Sequence, residues 1–178
     1  AAQISAGIKL KKLNFNKKQI NLIAVKKPVF PFNKFPNQNI FLSPEMKSTG
    51  EVIGFDNHLG SAYAKAEFGA GNELPLSGNI FISVNDSDKK EIIKIARDFD
   101  EMDYSIIATK GTANLLKENG IDSKDIFKVG EGRPNIVDSI KNNEIQMIIN
   151  TPLGAQSRYD EYQIGQAAIK HNIPVVTT

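Results

Sequence analysis

The sequence of 178 residues has no cysteine, no tryptophan and only two histidines. Without cysteine there are no disulfides, thiolate metal sites or nucleophilic thiols, and nothing favours a secreted protein. His58 and His171 lie far apart without ligand spacing, so no metal site is expected. No apolar run is long enough to cross a bilayer, and no apolar segment near the start reads as a signal peptide. Excess charge is also missing, since 22 Lys and Arg stand against 20 Asp and Glu, a net +2. The clusters Lys9-Leu10-Lys11-Lys12 and Lys17-Lys18 therefore read as solvated surface. Tyr159 and Tyr162 have no basic stripe beside them. Neither nucleic acid nor a membrane is an expected partner. There is no Walker loop, Gly-x-Ser-x-Gly or His-Glu-x-x-His. What is present, 40% hydrophobic residues, suffices for a core. The expected setting is cytoplasmic, with an organellar stroma or matrix as the secondary alternative.

The chain changes character near Glu73-Leu74-Pro75-Leu76-Ser77-Gly78. Residues 1–56 show little regular alternation and no repeated strand–helix unit. A helix is expected from about Asn57 to Phe68, with Leu59, Ala62, Tyr63 and Ala66 on its inner face. Beyond the boundary, β-branched runs alternate with helical periodicity. Strands are expected at Asn79–Val84, Tyr104–Ala108, Ile126–Val129, Gln146–Ile149 and Val175–Val176. Between them, Asp88 would cap a helix that buries Ile92, Ile95, Ala96, Phe99 and Met102. Further helices are expected at Thr112–Asn119, ended by Gly120, at Ile136–Lys141, and at Asp160–His171 with Ile164, Ala167 and Ala168 inward. Such alternation calls for a three-layer α/β/α domain with a parallel sheet. The acidic run Asp98, Asp100, Glu101 and Asp103 reads as a solvated helix end.

Ligands of open parallel sheets sit beyond the carboxyl ends of the strands. Those ends here carry Ser83, Thr109, Lys128, Val129, Asn150 and Thr151. The Thr109-Lys110-Gly111-Thr112 turn opens a helix, and its backbone N–H groups and two hydroxyls suit an oxyanion. Lys89 and Lys128 would add positive charge. Hydroxyls at strand ends equally serve as helix caps, and the residues alone leave both readings open.

Phe30-Pro31-Phe32-Asn33-Lys34-Phe35-Pro36 and Leu42-Ser43-Pro44-Glu45-Met46-Lys47-Ser48-Thr49-Gly50-Glu51-Val52 follow no period. Tertiary contacts must hold such segments. They resemble the end of the second ATP-grasp half of the carbamoyl phosphate synthetase large subunit. Ile82-Ser83-Val84 with Asp88-Lys89-Lys90, Ala108-Thr109-Lys110-Gly111-Thr112-Ala113, Gly130-Glu131-Gly132-Arg133-Pro134-Asn135-Ile136 and Ile149-Asn150-Thr151-Pro152 follow in the order of that subunit's regulatory domain. The resemblance implies that residues 1–76 end an ATP-grasp domain and that 77–178 form a methylglyoxal-synthase-like allosteric domain, the chain being cut at both ends. It implies an effector site for a nucleotide monophosphate, UMP or IMP, built from Ser83, Lys89, Thr109, Gly111, Thr112, Lys128, Val129, Asn150 and Thr151. No catalytic or metal residue is expected in the chain itself. The whole enzyme would use Mg-ATP, bicarbonate and ammonia released from glutamine by a glutaminase small subunit, and would serve pyrimidine and arginine synthesis. The remainder of the large subunit and that small subunit are the expected partners.

A free-standing lyase of the methylglyoxal synthase kind is the main alternative. It needs a carboxylate base near the bound phosphate, where this chain has Asn135 and Thr151, which take no proton at neutral pH. A plain interaction module without a ligand is a third reading. Two departures from the resembling family stand out. Lys27 occupies a place often acidic there, where the carboxylate helps hold the activator ornithine, whose ammonium a lysine repels. Ala155 occupies the place of an arginine in a Ser-Gly-Arg stretch that reaches the effector phosphate as a bidentate donor. Losing one charged hydrogen-bonding group weakens binding by about 1.5–3 kcal/mol. Ala155→Arg is thus expected to tighten UMP or IMP binding roughly tenfold or more in a calorimetric titration. Unchanged affinity in that variant, with binding abolished by Arg158→Ala, would assign the phosphate to Arg158 instead.

Overall fold

The structure, a computed structural model, describes residues 2–13, 21–29, 50–152 and 155–177. Residues 30–36 and 42–49, which carry much of the resemblance, lie outside the described residues, as do the side chains of Ala155 and Arg158. A single helical turn, α1 (Ala2–Ser5), comes first. Strands β1 (Ile23–Val29) and β2 (Gly50–Asp56) pair antiparallel, Val25 opposite Gly54 and Lys27 opposite Val52, and helix α2 (Leu59–Gly69) packs on both. These two strands were not expected. Inward and outward positions do alternate along them. One inward position of β1, however, is Lys27, which breaks the apolar pattern that marks a half-buried strand.

Glu67 of α2 answers Lys27. Its carboxylate is buried and takes hydrogen bonds from the Lys27 ammonium, from Asn72 Nδ2 at 2.7 Å and from the Tyr63 hydroxyl. This explains why α2 turns a different face inward than its apolar spacing suggests. Ala62, Ala66 and Glu67 are buried, while Leu59 and Tyr63 are 63% and 43% exposed. Small residues also let the helix approach the strand. A Cβ on Gly54 would stand 2.0 Å from the Ala62 carbonyl oxygen, so β2 admits only glycine there.

The remaining elements form the three-layer domain. They are β3 (Asn79–Val84), α3 (Lys89–Glu101), β4 (Ser105–Thr109), α4 (Lys110–Glu118), β5 (Lys124–Ile126), α5 (Ile136–Lys141), β6 (Met147–Thr151), α6 (Ala155–Lys170) and β7 (Val175–Val176). The five strands lie parallel in the order β5-β4-β3-β6-β7. Ile80, Phe81 and Ile82 of β3 are fully buried because both faces of this middle strand are covered. Ile80 and Ile82 meet Ile92, Ala96, Ala113 and Leu116 of α3 and α4. Phe81 points the other way, to Ile136 and Ile140 of α5 and Ile164 and Ala168 of α6. Fully burying such side chains contributes about 1.5–3 kcal/mol each.

Several boundaries differ from expectation for local reasons. The third strand stops at Ile126, because Lys128 to Glu131 form a turn around Gly130, which has φ +84°. Asp88 makes no side-chain cap. Asn85 instead accepts the Ser87 N–H at 2.9 Å and caps the short 3-10 turn Asp86–Asp88 that leads into α3. Ile95 on α3 and Met102, the residue that follows it, stay exposed. Helix α6 starts five residues before Asp160. The expected limits of β3, α5 and β7 match, and Gly120 follows α4 with φ +74°. Tyr104 ties the preceding stretch down. Its hydroxyl donates to the Pro75 carbonyl at 2.7 Å and its ring meets Phe99 edge-on at 5.4 Å.

Burial alone would push the Glu67 carboxyl up, yet the bonds from Lys27, Asn72 and Tyr63 outweigh it and hold the carboxyl below its ordinary range. A depressed carboxylate stabilises the fold at neutral pH, and that contribution fades as pH falls below about 4.3. Glu67→Gln is therefore expected to flatten the acid limb of a stability–pH curve measured by urea unfolding. Lys27→Met, which strands the buried carboxylate, should cost about 2–4 kcal/mol at pH 7.

Candidate functional site

The chain leaves β3 toward β4 on one side of the sheet and later returns to place β6 on the other, so the strand order reverses between β3 and β6. The carboxyl ends of these two strands cannot both be covered by the next connection, and a crevice is left there. Ser83 and Val84 stand opposite Asn150 and Thr151 in the β3–β6 register. A cavity of about 300 Å³ opens over them.

Six of the residues singled out from the sequence line it together: Ser83, Thr109, Lys128, Val129, Asn150 and Thr151. Thr109 occupies the N-cap position of α4 but makes no side-chain capping bond, and its hydroxyl lies 3.4 Å from that of Ser83. The two hydroxyls therefore face the cavity side by side. Lys128 and Val129 reach it from the turn after β5. Gly111 and Thr112 sit in the first turn of α4 outside the lining, with Thr112 buried against the core. Lys89 is also outside the lining, and its ammonium lies 2.6 Å from an Asp86 carboxylate oxygen.

Other lining residues carry no signal that the sequence reading used. Asn85 joins the two central strand ends, because its backbone N–H donates to Thr151 O at 3.1 Å and its Nδ2 to Thr151 O and Oγ1 at 3.2 Å. Asp86 stands at the mouth, and Asp160 reaches in from α6. Asp160 could have been found, since it lies four residues before Ile164 and so shares that residue's inward face. Phe81, Ile136 and Ile164 supply apolar wall. Asn135, placed from sequence near the site, is a capping residue. Its Oδ1 accepts the Val137 N–H at 3.0 Å, and Asp138 Oδ2 accepts the Asn135 N–H at 3.0 Å. This fixes Ile136 at the cavity wall.

The site thus offers hydroxyls, an amide and an ammonium against apolar walls, with carboxylates at its margins. Such a mixture suits a ligand that has an anionic group, further hydrogen-bonding groups and a flat or apolar part. Among the described residues no group of three or more histidines, aspartates or glutamates is placed to hold a metal ion. His171 lies 3.3 Å through Nδ1 from Asn143 Oδ1, and His58 precedes α2, both away from the cavity lining. No helix among the described residues is long and apolar enough to cross a membrane.

Burial pushes the Asp160 carboxyl up, Lys128 partly offsets this, and Glu131 adds to the rise. A raised carboxylate is a burden to the fold once ionised, so its cost is present at neutral pH and absent below about 3.9. Asp160→Asn is therefore expected to raise the urea midpoint at pH 7 and leave it unchanged near pH 3. An equal gain at both pH values would show that the carboxylate's charge is not the cause.

Residues 91–177 match the family described as MGS-like domain. Over 165 residues the chain is 47% identical to the carbamoyl phosphate synthase large chain, C-terminal section, of Aquifex aeolicus, covering 93% of this chain and 31% of the relative. It is 45% identical to the carbamoyl phosphate synthase large chain of Nostoc sp. over 179 residues, covering 100% of this chain and 16% of the relative. Against the large chain of Pseudomonas syringae pv. tomato the identity is 49% over 179 residues, with 100% and 17% covered. The chain therefore spans under a third of the length of these relatives. With an MGS-like domain on the five-stranded sheet and such similarity along its length, the chain belongs to the carbamoyl phosphate synthase large-chain family, as a fragment of its C-terminal part.

Proposed function

We propose that the 77–178 domain is the allosteric part of a carbamoyl phosphate synthase large chain, and that the cavity takes a nucleoside monophosphate such as UMP or IMP. One observation carries this reading: a cavity of about 300 Å³ joins the Ser83 and Thr109 hydroxyls, Lys128 and Asn150 to apolar wall. The phosphate is taken by the hydroxyls and the lysines, with the α4 N-terminus behind them. The ribose and base occupy the space between Asn150, Asp160 and the apolar residues. Residues 1–76 are the end of an ATP-grasp domain. The fragment is regulatory and has no activity of its own. In the whole enzyme, with Mg-ATP, bicarbonate and a glutaminase small subunit supplying ammonia, occupancy of the cavity adjusts carbamoyl phosphate synthesis in the cytoplasm or an organellar matrix.

The MGS-like domain leaves the lyase alternative open by itself. Asn135 bears against it, because its side chain is used up in a helix cap and has no basic form with which to abstract a proton. Calorimetric titration of the 178-residue chain with UMP and with IMP tests the proposal. One saturable site is expected, weakened by Lys128→Ala and by added salt. No heat with either nucleotide, or identical affinity in Lys128→Ala, would overturn it.

A further inference from the structure

The ion pair at the mouth of the cavity has a consequence for what the cavity binds. Asp86 lines the mouth, and Lys89 contacts it from the first residue of α3. The turn that carries Asp86 is fixed. Asn85 is bonded to Thr151 on one side and to the Ser87 N–H on the other, and its Nδ2 also meets Asp88 Oδ2 at 2.8 Å. Asp88 is thus committed within the turn, and Asp86 is the carboxylate left facing Lys89. The lysine ammonium is consequently held beside the cavity while remaining outside its lining.

We infer that Asp86 is a built-in competitor for Lys89: an incoming phosphate group must take the ammonium from this carboxylate, so Asp86 lowers the affinity of the cavity for anions. The inference rests on the reading of the cavity as an anion site. The Asp86 side chain is 92% exposed, so once released it is solvated at little cost and the exchange is nearly balanced. Lys89 chiefly, and Lys128 from the cavity lining to a lesser degree, hold the Asp86 carboxyl below its ordinary range. With the ammonium held by Asp86, the cavity binds a phosphate only as strongly as the difference between two partners of one ammonium. The other role open to Asp86, an acidic residue near the start of α3, would affect helix stability and leave ligand affinity alone.

A four-protein cycle separates these roles. UMP, IMP and inorganic phosphate are titrated calorimetrically into the 178-residue chain and into its Asp86→Asn, Lys89→Ala and doubly substituted forms. Asp86→Asn should tighten binding about two- to fivefold, the range an exposed ion pair supports. In the Lys89→Ala background the same change should give no gain, because the competition has lost its object. Unchanged affinity in Asp86→Asn would overturn the inference, leaving the anion site intact. A gain that persists without Lys89 would also overturn it, showing general repulsion by Asp86. Failure of all three ligands to bind any of the four proteins would bring down the site itself, and this inference with it.

Discussion

Strand β3 is buried on both faces, flanked by β4 and β6, and followed by connections that depart in different directions. Covering both faces requires the run Ile80-Phe81-Ile82, with alternate side chains serving two separate cores. Once that run is in place, Ser83 and Val84 must emerge where the sheet is no longer covered. The register to β6 then brings Asn150 and Thr151 beside them. The site is a by-product of where the hydrophobic run stops. A polar group one residue earlier, in place of the fully buried Ile82, would be buried without a partner.

The parts of the fold that follow from apolar periodicity were legible. Strand β3, helix α5 and strand β7 match their expected limits, and so do the inward residues Ile164, Ala167 and Ala168 of α6. The parts that depend on a polar pair were not. Lys27 and Glu67 each look like a surface residue when read alone, and only their meeting across 40 positions makes both inward. The same logic governs the cavity. Its strand-end hydroxyls were readable because topology fixes where strands end. Asn85 and Asp86 were missed because a turn places them and a turn has no period, whereas Asp160 shares the inward face of Ile164 four residues on and did carry a signal. Lys128 and Val129 were expected on a strand. They line the cavity from a turn because Gly130 bends the chain immediately after them.

Glu67, which is buried, and Asp160, which is partly buried, show how one chain uses carboxylates withdrawn from water in two ways. Both meet the same penalty of leaving water, and neighbours decide the outcome. Around Glu67 three donors converge, so the charged form is held and α2 is fastened to β1. Around Asp160 a single lysine is opposed by Glu131, so the penalty remains. A scaffold position is surrounded until the charge is satisfied. A carboxylate left short of donors inside a cavity is instead available to something that enters it, such as a pair of hydroxyls.

The charges around the cavity follow from this. Lys128 lies within electrostatic reach of Asp86 at the mouth and of Asp160 on the cavity wall, where it partly offsets the effect of burial. A ligand that is only an anion would gain from the lysines but meet both carboxylates. A ligand that is only a neutral polyol would satisfy Asp160 and leave the hydroxyl pair of Ser83 and Thr109 without a strong acceptor. The proposed nucleoside monophosphate, with its phosphate near the hydroxyls and its sugar near Asp160, would meet each group with its complement. The mixed signs therefore narrow the ligand class beyond what the cavity's size does, because a wrongly placed or unpaired charge in a partly buried site is penalised.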